Sequence, residues 1–392
     1  MRLCIIANLS IHTQRYLRYF VERGHEVHLI GVRKPHVPPP PGVTVHDLTA
    51  HSGMRKLRWL VWGRTVRRIV AELKPDVLHA QQIAPAGWLG AAAGYHPLMV
   101  TAWGSDLLVG AQTSWVFRQL ARWALRRADY VTCVSQGLAQ AALTLGADPN
   151  RLEVAPWGVD VEVYHPSADR EAPRERLAAL RPALLRLPYS AAKATGRPAG
   201  RLDGPIVLSV RSIKAVYRPL DIAQAIPRVL EQVPAARFVV RTHNSNAQKV
   251  AQFQATVQAG GASEAVRYVG ELPDEEAIAD LYRAADVAVS VPSSDGTPSS
   301  VLEAVACGAV PVVSDVPSLH EWLAHEREAL FVPVGDVQAI AASIVRLLSD
   351  ETLRGQMAAD GARMIRERAD SRVWMRRNEE IYRRLTKSEA SS

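Results

Sequence analysis

Short apolar runs alternate with stretches of helical periodicity through the first half of the chain. The apolar runs, which we predict to be β-strands, are Leu3–Ala7, Glu26–Gly31, Val43–Asp47, Asp76–His79, Leu98–Ala102, Tyr130–Val134 and Leu152–Ala155. The stretches with helical spacing include Thr13–Arg23, Arg64–Leu73 and Trp115–Arg127. Strands that alternate with helices indicate parallel βαβ units, so this half is predicted to form a doubly wound α/β sheet.

The second half of the chain repeats the pattern. Its predicted strands are Ile206–Val210, Phe238–Arg241, Val266–Val269, Val287–Val291 and Val310–Ser314. Its predicted helices are Pro219–Glu231, Asp274–Ala284, Ser300–Cys307 and Asp336–Ser349. Residues 167–204, between the halves, are rich in Arg, Ala and Pro, with a predicted helix near Arg174–Leu187 and loose linker over Ala191–Gly204.

These patterns predict the α/β class, with two Rossmann-like lobes and a cleft between them. We expect the first lobe over residues 1–166, a linker over 167–204 and the second lobe over 205–360. Arg-rich helical patterns over residues 361–392 are predicted to cross back to the first lobe and to end in a polar tail. In open parallel sheets, ligands bind at the carboxyl ends of the strands, so the strand-to-helix loops are where a site is expected.

Composition agrees with a globular protein of two domains. The 392 residues include 48% hydrophobic and 22% charged residues, enough apolar material for sizeable cores. Cys4, Cys133 and Cys307 lie far apart and form no disulfide or metal-ligand spacing, which favours a reducing compartment. No signal-peptide pattern precedes Leu3–Ala7, and no apolar stretch reaches about 18 residues. We therefore expect a cytoplasmic protein without a metal site.

Positive charge is concentrated in the first half. Residues 1–165 hold 18 Lys and Arg against 11 Asp and Glu, so this part carries +7 of the net +8. Residues 54–74 alone hold seven of these cations, and Trp62, Val66, Val70 recur at helical spacing on the opposite face. One interpretation is a helix on the inner face of an anionic membrane; the other is a helix whose apolar stripe packs on the sheet. No nucleic-acid recognition motif accompanies the charge, so we expect no nucleic-acid partner.

The loop after the predicted strand Val287–Val291 combines features of an anion site. Neither a GxGxxG nor a Walker motif follows any strand, so nicotinamide and ATP sites lose their best support. Gly296 is predicted to take a positive φ in a sharp turn, Thr297 to cap the next helix and Pro298 to lie in its first turn.

This geometry would direct unpaired backbone amides towards a phosphate. The amides are those of Ser299, Ser300 and Val301, at the positive end of the helix dipole. Glu303 lies about one turn further on, where a carboxylate accepts hydrogen bonds from two sugar hydroxyls, and Asp295 precedes the turn. The alternative is an ordinary βα connection in which Asp295 and Glu303 only cap and solubilise a helix.

Several segments, in order, resemble glycosyltransferase family 4, retaining enzymes of the GT-B fold. The acidic pair Asp295 and Glu303, with seven residues between them in DGTPSSVLEAVACGAVPVVSD, is similar to the E-x7-E segment of that family. Residues 23–30, 128–166 and 268–296 are similar to its first βαβ unit, the end of its first lobe and the strand and helix before the donor loop. The resemblance covers nearly the whole chain.

The resemblance implies a role for each matching residue. Glu303 would bind the ribose hydroxyls of a nucleotide-sugar donor, and the backbone of Gly296–Val301 would hold its diphosphate and part of the sugar. Asp295 would lie near the transferred sugar. Arg211, with a nearby lysine, would neutralise the diphosphate leaving group, so no metal is expected. Gly270 and Leu272 would border the nucleotide base.

The chain departs from the family pattern around the transferred sugar. Asp295 is one methylene shorter than the usual Glu, and the Lys expected after Arg211 is absent, with Lys214 and Arg218 as the candidates to replace it. Trp103 stands where the family has a sugar-contacting His, so it is either a replacement contact or a buried aromatic residue at the lobe interface. Asp106 is either a contact to the sugar or acceptor, or a helix cap.

Two further segments differ from the family. Residues 241–246, RTHNSN, replace a Gly-rich segment, and residues 8–15, NLSIHTQR, replace a glycine-containing first loop. We predict that His12 faces the cleft and touches the phosphates or the acceptor. The alternative for this loop is that Ser10 or Thr13 caps the first helix.

The combined prediction is a retaining, metal-independent glycosyltransferase that moves a sugar from a UDP- or GDP-sugar to a hydroxyl acceptor, lipid-linked or saccharide. One alternative is an epimerase or hydrolase of the same fold that acts on the nucleotide sugar. Another is a catalytically weak protein that binds sugar nucleotides or membranes. The sequence leaves open the sugar, the base, the acceptor and the oligomeric state.

Overall fold

The chain folds into two compact units. The structure is a computed structural model that describes residues 1–392 except 35–36, 52–57, 105, 170, 180–184, 187–203 and 390–392. Only the backbone is described for residues 51, 58–60, 106, 109, 178–179, 185–186 and 388–389. The first unit comprises Met1–Trp157 and the segment from Arg372 onward, and the second comprises Gly158–Ser371.

The first unit is built on a parallel sheet with the strand order β3-β2-β1-β4-β5-β6-β7. The strands are β1 (Arg2–Ala7), β2 (Glu26–Gly31), β3 (Val43–Asp47), β4 (Val77–Gln81), β5 (Leu98–Ala102), β6 (Tyr130–Cys133) and β7 (Leu152–Val154). The helices are α1 (Ile11–Glu22), α2 (Arg58–Leu73), α3 (Trp88–Ala93), α4 (Ala111–Thr113), α5 (Trp115–Arg127) and α6 (Gln136–Thr144). Serine side chains cap α1, α5 and α6, which explains where these helices begin.

The second unit repeats this architecture. Its strands are β8 (Leu185–Arg186), β9 (Ile206–Ser209), β10 (Arg237–Arg241), β11 (Val266–Val269), β12 (Val287–Ser290), β13 (Val310–Ser314) and β14 (Leu330–Val332). They lie in the order β14-β13-β12-β9-β10-β11-β8, in which only the two-residue β8 pairs antiparallel. Continuous apolar runs such as Ile206–Leu208 and Val310–Val313 are buried, as expected for parallel strands covered on both faces.

Helices cover this second sheet. They are α7 (Glu171–Ala179), α8 (Pro219–Gln232), α9 (Ala247–Ala259), α10 (Glu275–Ala284), α11 (Ser299–Ala306), α12 (Pro317–His320), α13 (Val337–Ser349) and α14 (Glu351–Arg368). Helix α7 begins before the predicted Arg174–Leu187, and residues 185–186 are strand rather than helix. The predicted fold class, two doubly wound Rossmann-like units, is confirmed.

The last helix, α15 (Ser371–Glu389), packs in the first unit. The Tyr382 hydroxyl lies 2.6 Å from the Tyr16 hydroxyl and 2.6 Å from His79 Nδ1. His79 Nε2 lies 2.7 Å from the Thr101 hydroxyl, which is 2.7 Å from that of Thr132. All five side chains are buried, so this chain of hydrogen bonds joins α15 to α1 and to the centre of the sheet.

The buried imidazole in this chain makes the first unit sensitive to acid. Burial lowers the pKa of His79 from 6.5 to about 3. The folded state therefore binds no proton where the unfolded state does, and stability falls as pH drops from about 6.5 towards 3. We expect a loss of about 2 kcal/mol at pH 5 relative to pH 7.5 from this group. Denaturant unfolding of the wild type and of His79→Gln at both pH values measures it, and an equal loss in both would contradict it.

Candidate functional site

The second sheet places its loops around a topological switch point. The central strand β9 has β10 on one side and β12 on the other, so the loops that follow β9 and β12 leave the sheet in opposite directions. Such a point opens a crevice at the carboxyl ends of the strands. Arg211 follows β9, and Asp295 follows β12 in the loop 291–298. The sheet topology thus brings these two predicted site residues together.

Arg211 is the centre of the cluster. It forms an ion pair with Asp295 through Nη2, and its Nε lies 3.4 Å from the hydroxyl of Ser290, the last residue of β12. The guanidinium also stacks 4.8 Å from the centroid of the Tyr217 ring. The side chains of Arg211 and Asp295 are only 12% and 9% exposed. Burial lowers the pKa of Arg211, while electrostatic interactions with Tyr217, Tyr282 and Glu303 raise it.

The helix after the loop begins differently from the prediction. Pro298 is the N-cap of α11 and not a residue of its first turn, and its side chain forms no capping hydrogen bond. The amide of Ser299 donates to the Thr297 carbonyl at 2.9 Å, and that of Val301 to the Pro298 carbonyl at 2.8 Å. The helix therefore has Pro298 rather than the predicted Thr297 as its N-cap, and the amides of Ser299 and Val301, which were predicted to be unpaired, bond within the turn.

The glycine of this turn also differs from the prediction. Gly296 does not have a positive φ, whereas Gly308, after the end of α11, has φ of 92°. The Gly296 amide donates to Asp295 Oδ1 at 2.9 Å, so the carboxylate closes the turn. Asp295 consequently holds both the loop backbone and Arg211. Ser300 is half-buried in the first turn of α11.

Glu303 is buried beneath this loop. Its side chain belongs to a residue only 6% exposed, and Tyr282 donates from its hydroxyl to Glu303 Oε2 at 3.4 Å. Burial raises the pKa of Tyr282, the charge of Glu303 raises it further, and Arg241 lowers it. Because Glu303 also acts on the pKa of Arg211, the predicted ribose-binding carboxylate and the predicted diphosphate-binding cation share one electrostatic environment.

Arg241 is a residue of this cluster that the motif analysis did not identify. It ends β10, is 6% exposed, and its Nε has no hydrogen-bond partner among the described residues. Its neighbour His243 has a pKa lowered to about 3, by burial first and then by the charges of Arg241 and Lys214. A buried guanidinium with an unpartnered nitrogen is unusual in a core. The sequence feature that could have identified Arg241 is the segment 241–246, which departs from the family pattern where β10 ends.

Lys214 and Arg218, the two candidates to replace the missing lysine, have different surroundings in the structure. Arg218 has a left-handed backbone with φ of 47°, and its Nε donates to Asp221 at 2.5 Å at the start of α8. Lys214 is half-buried and close enough to His243 to lower its pKa. The charges of Lys214 and Arg241 thus both act on His243, whereas Arg218 contacts Asp221 in the first turn of α8.

Gly270 and Leu272 follow β11 at the same edge of the sheet. Leu272 is buried, and a Cβ built on Gly270 would meet nothing within 4 Å. The space next to the Gly270 Cα is therefore open, and the buried Leu272 lies two residues further along the chain.

The remaining predicted residues lie in the first unit. Trp103 packs on the core, with its ring centroid 5.0 Å from that of Trp157. His12 is half-buried in the first turn of α1. Ser10 is the N-cap of this helix and accepts from the Thr13 amide, as the alternative for this loop predicted. The side chain of Asp106 lies outside the described residues.

The switch point of the first sheet carries a strained residue. Gln82, directly after β4, has φ of 94° and ψ of 145°, a backbone conformation that residues other than glycine rarely adopt. Asn8, directly after β1, donates from Nδ2 to Gln82 Oε1 at 3.4 Å. Residues held in such conformations cluster at binding sites.

The basic segment 54–74 uses its apolar stripe inside the protein. Residues 52–57 lie outside the described part of the chain, and α2 starts at Arg58. Trp62, Val66 and Val70 are buried in the core, while Arg64, Arg67 and Arg68 are exposed. The second interpretation of this helix is therefore confirmed. Across the described residues, no helix combines the length and the hydropathy needed to cross a bilayer.

Two family models match the chain, one in each unit. The model described as "Glycosyl transferase 4-like" matches residues 2–135, and the one described as "Glycosyl transferases group 1" matches residues 196–364. Together they cover more than half of the chain. The second match contains the whole cluster from Arg211 to Glu303.

Comparison with individual proteins agrees with these matches. A D-inositol 3-phosphate glycosyltransferase of Geodermatophilus obscurus is 27% identical over 348 residues, 82% of this chain and 71% of that protein. Sucrose-phosphate synthase of Thermosynechococcus elongatus has a similar structure, with a TM-score of 0.79 at 19% identity over 100% of both chains. Anabaena HepE in complex with UDP and glucose gives 0.75 at 16% identity, over 98% of this chain and 100% of that one.

Proposed function

Since the chain belongs to the glycosyltransferases of the family 4 type and has their GT-B fold, we propose that it moves a sugar from a nucleoside diphosphate to a hydroxyl acceptor with retention. The observation that carries the proposal is the buried cluster of Arg211, Asp295 and Glu303 at the switch point of the second sheet. In this cluster Arg211 suits the diphosphate of a nucleotide sugar, Asp295 suits the transferred sugar, and Glu303 suits the ribose.

The donor is proposed to bind the second unit through its nucleotide. Glu303 accepts hydrogen bonds from the ribose hydroxyls, and the base lies against Leu272 in the open space beside Gly270. The side chains of Arg211 and Lys214 contact the diphosphate. A UDP-sugar is the favoured donor because the structurally similar HepE was solved with UDP and glucose, and a GDP-sugar is the second candidate.

Transfer is proposed to proceed on one face of the sugar. The bond from the anomeric carbon to the diphosphate oxygen breaks as the acceptor oxygen forms a new bond on the same face. The acceptor proton passes to the departing oxygen, so no carboxylate base is required. The arginine and lysine charges stabilise the leaving diphosphate, which is the task a metal ion performs in other enzymes, so the reaction is proposed to be metal-independent.

The acceptor is proposed to be an anionic hydroxyl compound bound by the first unit. Residues 1–165 carry +7 of the net charge, and the similar protein of Geodermatophilus obscurus is named for transfer to an inositol phosphate. His12, Trp103 and Asp106 are the candidate residues for this side of the reaction.

A screen of UDP-, GDP-, ADP- and TDP-sugars by thermal shift tests the donor assignment. A ligand present at about 100 times its Kd stabilises the folded state by about 2.7 kcal/mol, which raises the midpoint by about 2–4 °C. We expect such a shift from one base, retained when the sugar is varied, and none from NADH as the control nucleotide. The absence of a shift from all four at millimolar concentration would contradict the proposal.

A further inference from the structure

Helix α5 exposes aromatic residues that a water-facing helix does not normally carry. Trp115 is 74% exposed, Val116 56%, Phe117 39% and Trp123 37%. Val116 and Trp123 are seven residues apart, two helical turns, so they lie on the same side of the helix. An exposed patch with two tryptophans is a sign of an interaction surface.

The opposite side of α5 already satisfies its packing. Ala121, Ala124 and Leu125 are buried in the core of the first unit. The ring of Phe117 packs edge-on against Trp88 of the neighbouring α3, with centroids 4.8 Å apart. Small residues on the inner side thus attach the helix to the sheet, and Trp115 and Trp123 are not needed for that attachment.

The charge of α5 has one sign. The helix contains Arg118, Arg122, Arg126 and Arg127 and no Asp or Glu. Arg118, Arg126 and Arg127 are exposed. Arginines next to exposed tryptophans are the combination found where helices lie in the headgroup region of membranes, because the indole ring fits the interface and the guanidinium binds lipid phosphates.

We propose that the outer side of α5, formed by Trp115, Val116, Trp123 and the exposed arginines, docks on a bilayer that contains anionic phospholipids. The charge complementarity selects this partner over an apolar protein surface, since three exposed arginines on a helix without an acid attract lipid phosphates. Helix α2 is the counter-example in the same unit, because its arginines are exposed but its apolar stripe is buried in the core. This proposal goes beyond the transfer reaction and does not depend on it.

Flotation with vesicles tests the proposal directly. The full chain is mixed with phosphatidylcholine vesicles containing half phosphatidylglycerol, and with pure phosphatidylcholine, at 100 mM NaCl. We expect binding to the anionic vesicles only, and a partition coefficient lower by on the order of tenfold or more for Trp115→Ser/Trp123→Ser. The variant's melting temperature serves as the check that it is folded.

A matched pair of charge variants separates α5 from general positive charge. Arg118→Gln/Arg127→Gln on α5 and Arg64→Gln/Arg68→Gln on α2 each remove two exposed arginines. We expect the first pair to weaken binding by about tenfold and the second by much less, because only the first lies on the helix that exposes Trp115 and Trp123. Equal effects of the two pairs would overturn the assignment to α5.

Tryptophan quenching reports insertion without any destabilising substitution. Brominated phosphatidylglycerol quenches indoles that enter the bilayer, and this quenching is expected to disappear in Trp115→Phe/Trp123→Phe. Unchanged quenching in that variant, or no binding of the wild type at any salt concentration, would overturn the proposal. A concentration-dependent dimer that Trp115→Ser/Trp123→Ser abolishes would instead assign the surface to a second copy of the chain.

Discussion

Replacement of Arg211 by glutamine is expected to lower kcat by about 10²–10³-fold on a verified donor and acceptor, a loss typical for the removal of one preorganised charge stabiliser. Arg211 is held by Asp295, Ser290 and the ring of Tyr217, so its position does not depend on the ligand. Its contacts to Asp295 and Ser290 use Nη2 and Nε, and a guanidinium offers further donors to a diphosphate. Steady-state kinetics with the preferred nucleotide sugar measure the effect.

A double variant separates catalysis from stability at this ion pair. Arg211→Gln leaves the 9% exposed carboxylate of Asp295 without its partner, which costs about 3–5 kcal/mol for a buried pair. Arg211→Gln/Asp295→Asn removes both charges and is expected to recover much of the thermal stability while kcat stays low. Arg218→Gln is the control, because Arg218 pairs with Asp221 at the start of α8, and it is expected to keep activity within about twofold. Recovery of activity in the double variant would contradict the proposed role.

Removal of the Glu303 carboxylate is expected to weaken donor use by about 10²–10³-fold in kcat/KM. Each hydrogen bond from a hydroxyl to a carboxylate contributes about 1.5–3 kcal/mol, and the proposal assigns two to Glu303. Glu303→Gln keeps the shape of the buried side chain, whereas Glu303→Ala leaves a cavity next to Tyr282. The kinetic constants of both variants are compared with those of Glu231→Gln, an exposed carboxylate at the end of α8.

A 2′-deoxyribose donor identifies the partner of Glu303. The wild type is expected to discriminate against the deoxy donor by about 10–100-fold, since one hydrogen bond to the carboxylate is lost. The Glu303→Ala variant is expected to use both donors equally, because neither can form that bond. Discrimination that persists in the variant would place the ribose elsewhere, and full activity of both Glu303→Ala and Arg211→Gln would show that the whole site assignment is wrong.

The regular elements of the fold follow directly from apolar periodicity. The predicted strands Glu26–Gly31, Leu98–Ala102 and Val310–Ser314 and the predicted helix Trp115–Arg127 have the bounds found in the structure. These segments are long or fully buried, so burial and local preference favour the same conformation. The helix Ala247–Ala259 was missed, and its apolar positions give only two fully buried side chains.

The site was harder to predict where backbone geometry decides. Thr297 has the side chain of a helix cap, yet Pro298 has ψ of 56° and takes the capping position without a side-chain bond. Motifs identified Arg211 and Glu303, but Arg241 has no motif position, and only the sheet topology shows that β10 ends beside β9. Local sequence does not encode such a neighbour from another strand.

The sequence alone also did not show which face of a helix is exposed to solvent. Helices α2 and α5 both combine tryptophan with arginine, and the seven cations of the segment 54–74 favoured α2 as the membrane candidate. In α2 the core takes up Trp62, whereas in α5 the alanines face the core and leave Trp115 and Trp123 outside. Which face of a helix packs is settled by the neighbouring elements, and that information exists only in three dimensions.

The return of α15 to the first unit has a consequence for how the protein is made. The hydrogen bond between Tyr16 and Tyr382 joins residues 366 positions apart, and all of Gly158–Ser371 is synthesised between them. On the ribosome, the second unit is therefore complete before the first can close its buried hydrogen-bonded chain. Until then all seven strands of the first sheet have been synthesised, but Tyr16 and His79 lack their hydrogen-bond partner Tyr382.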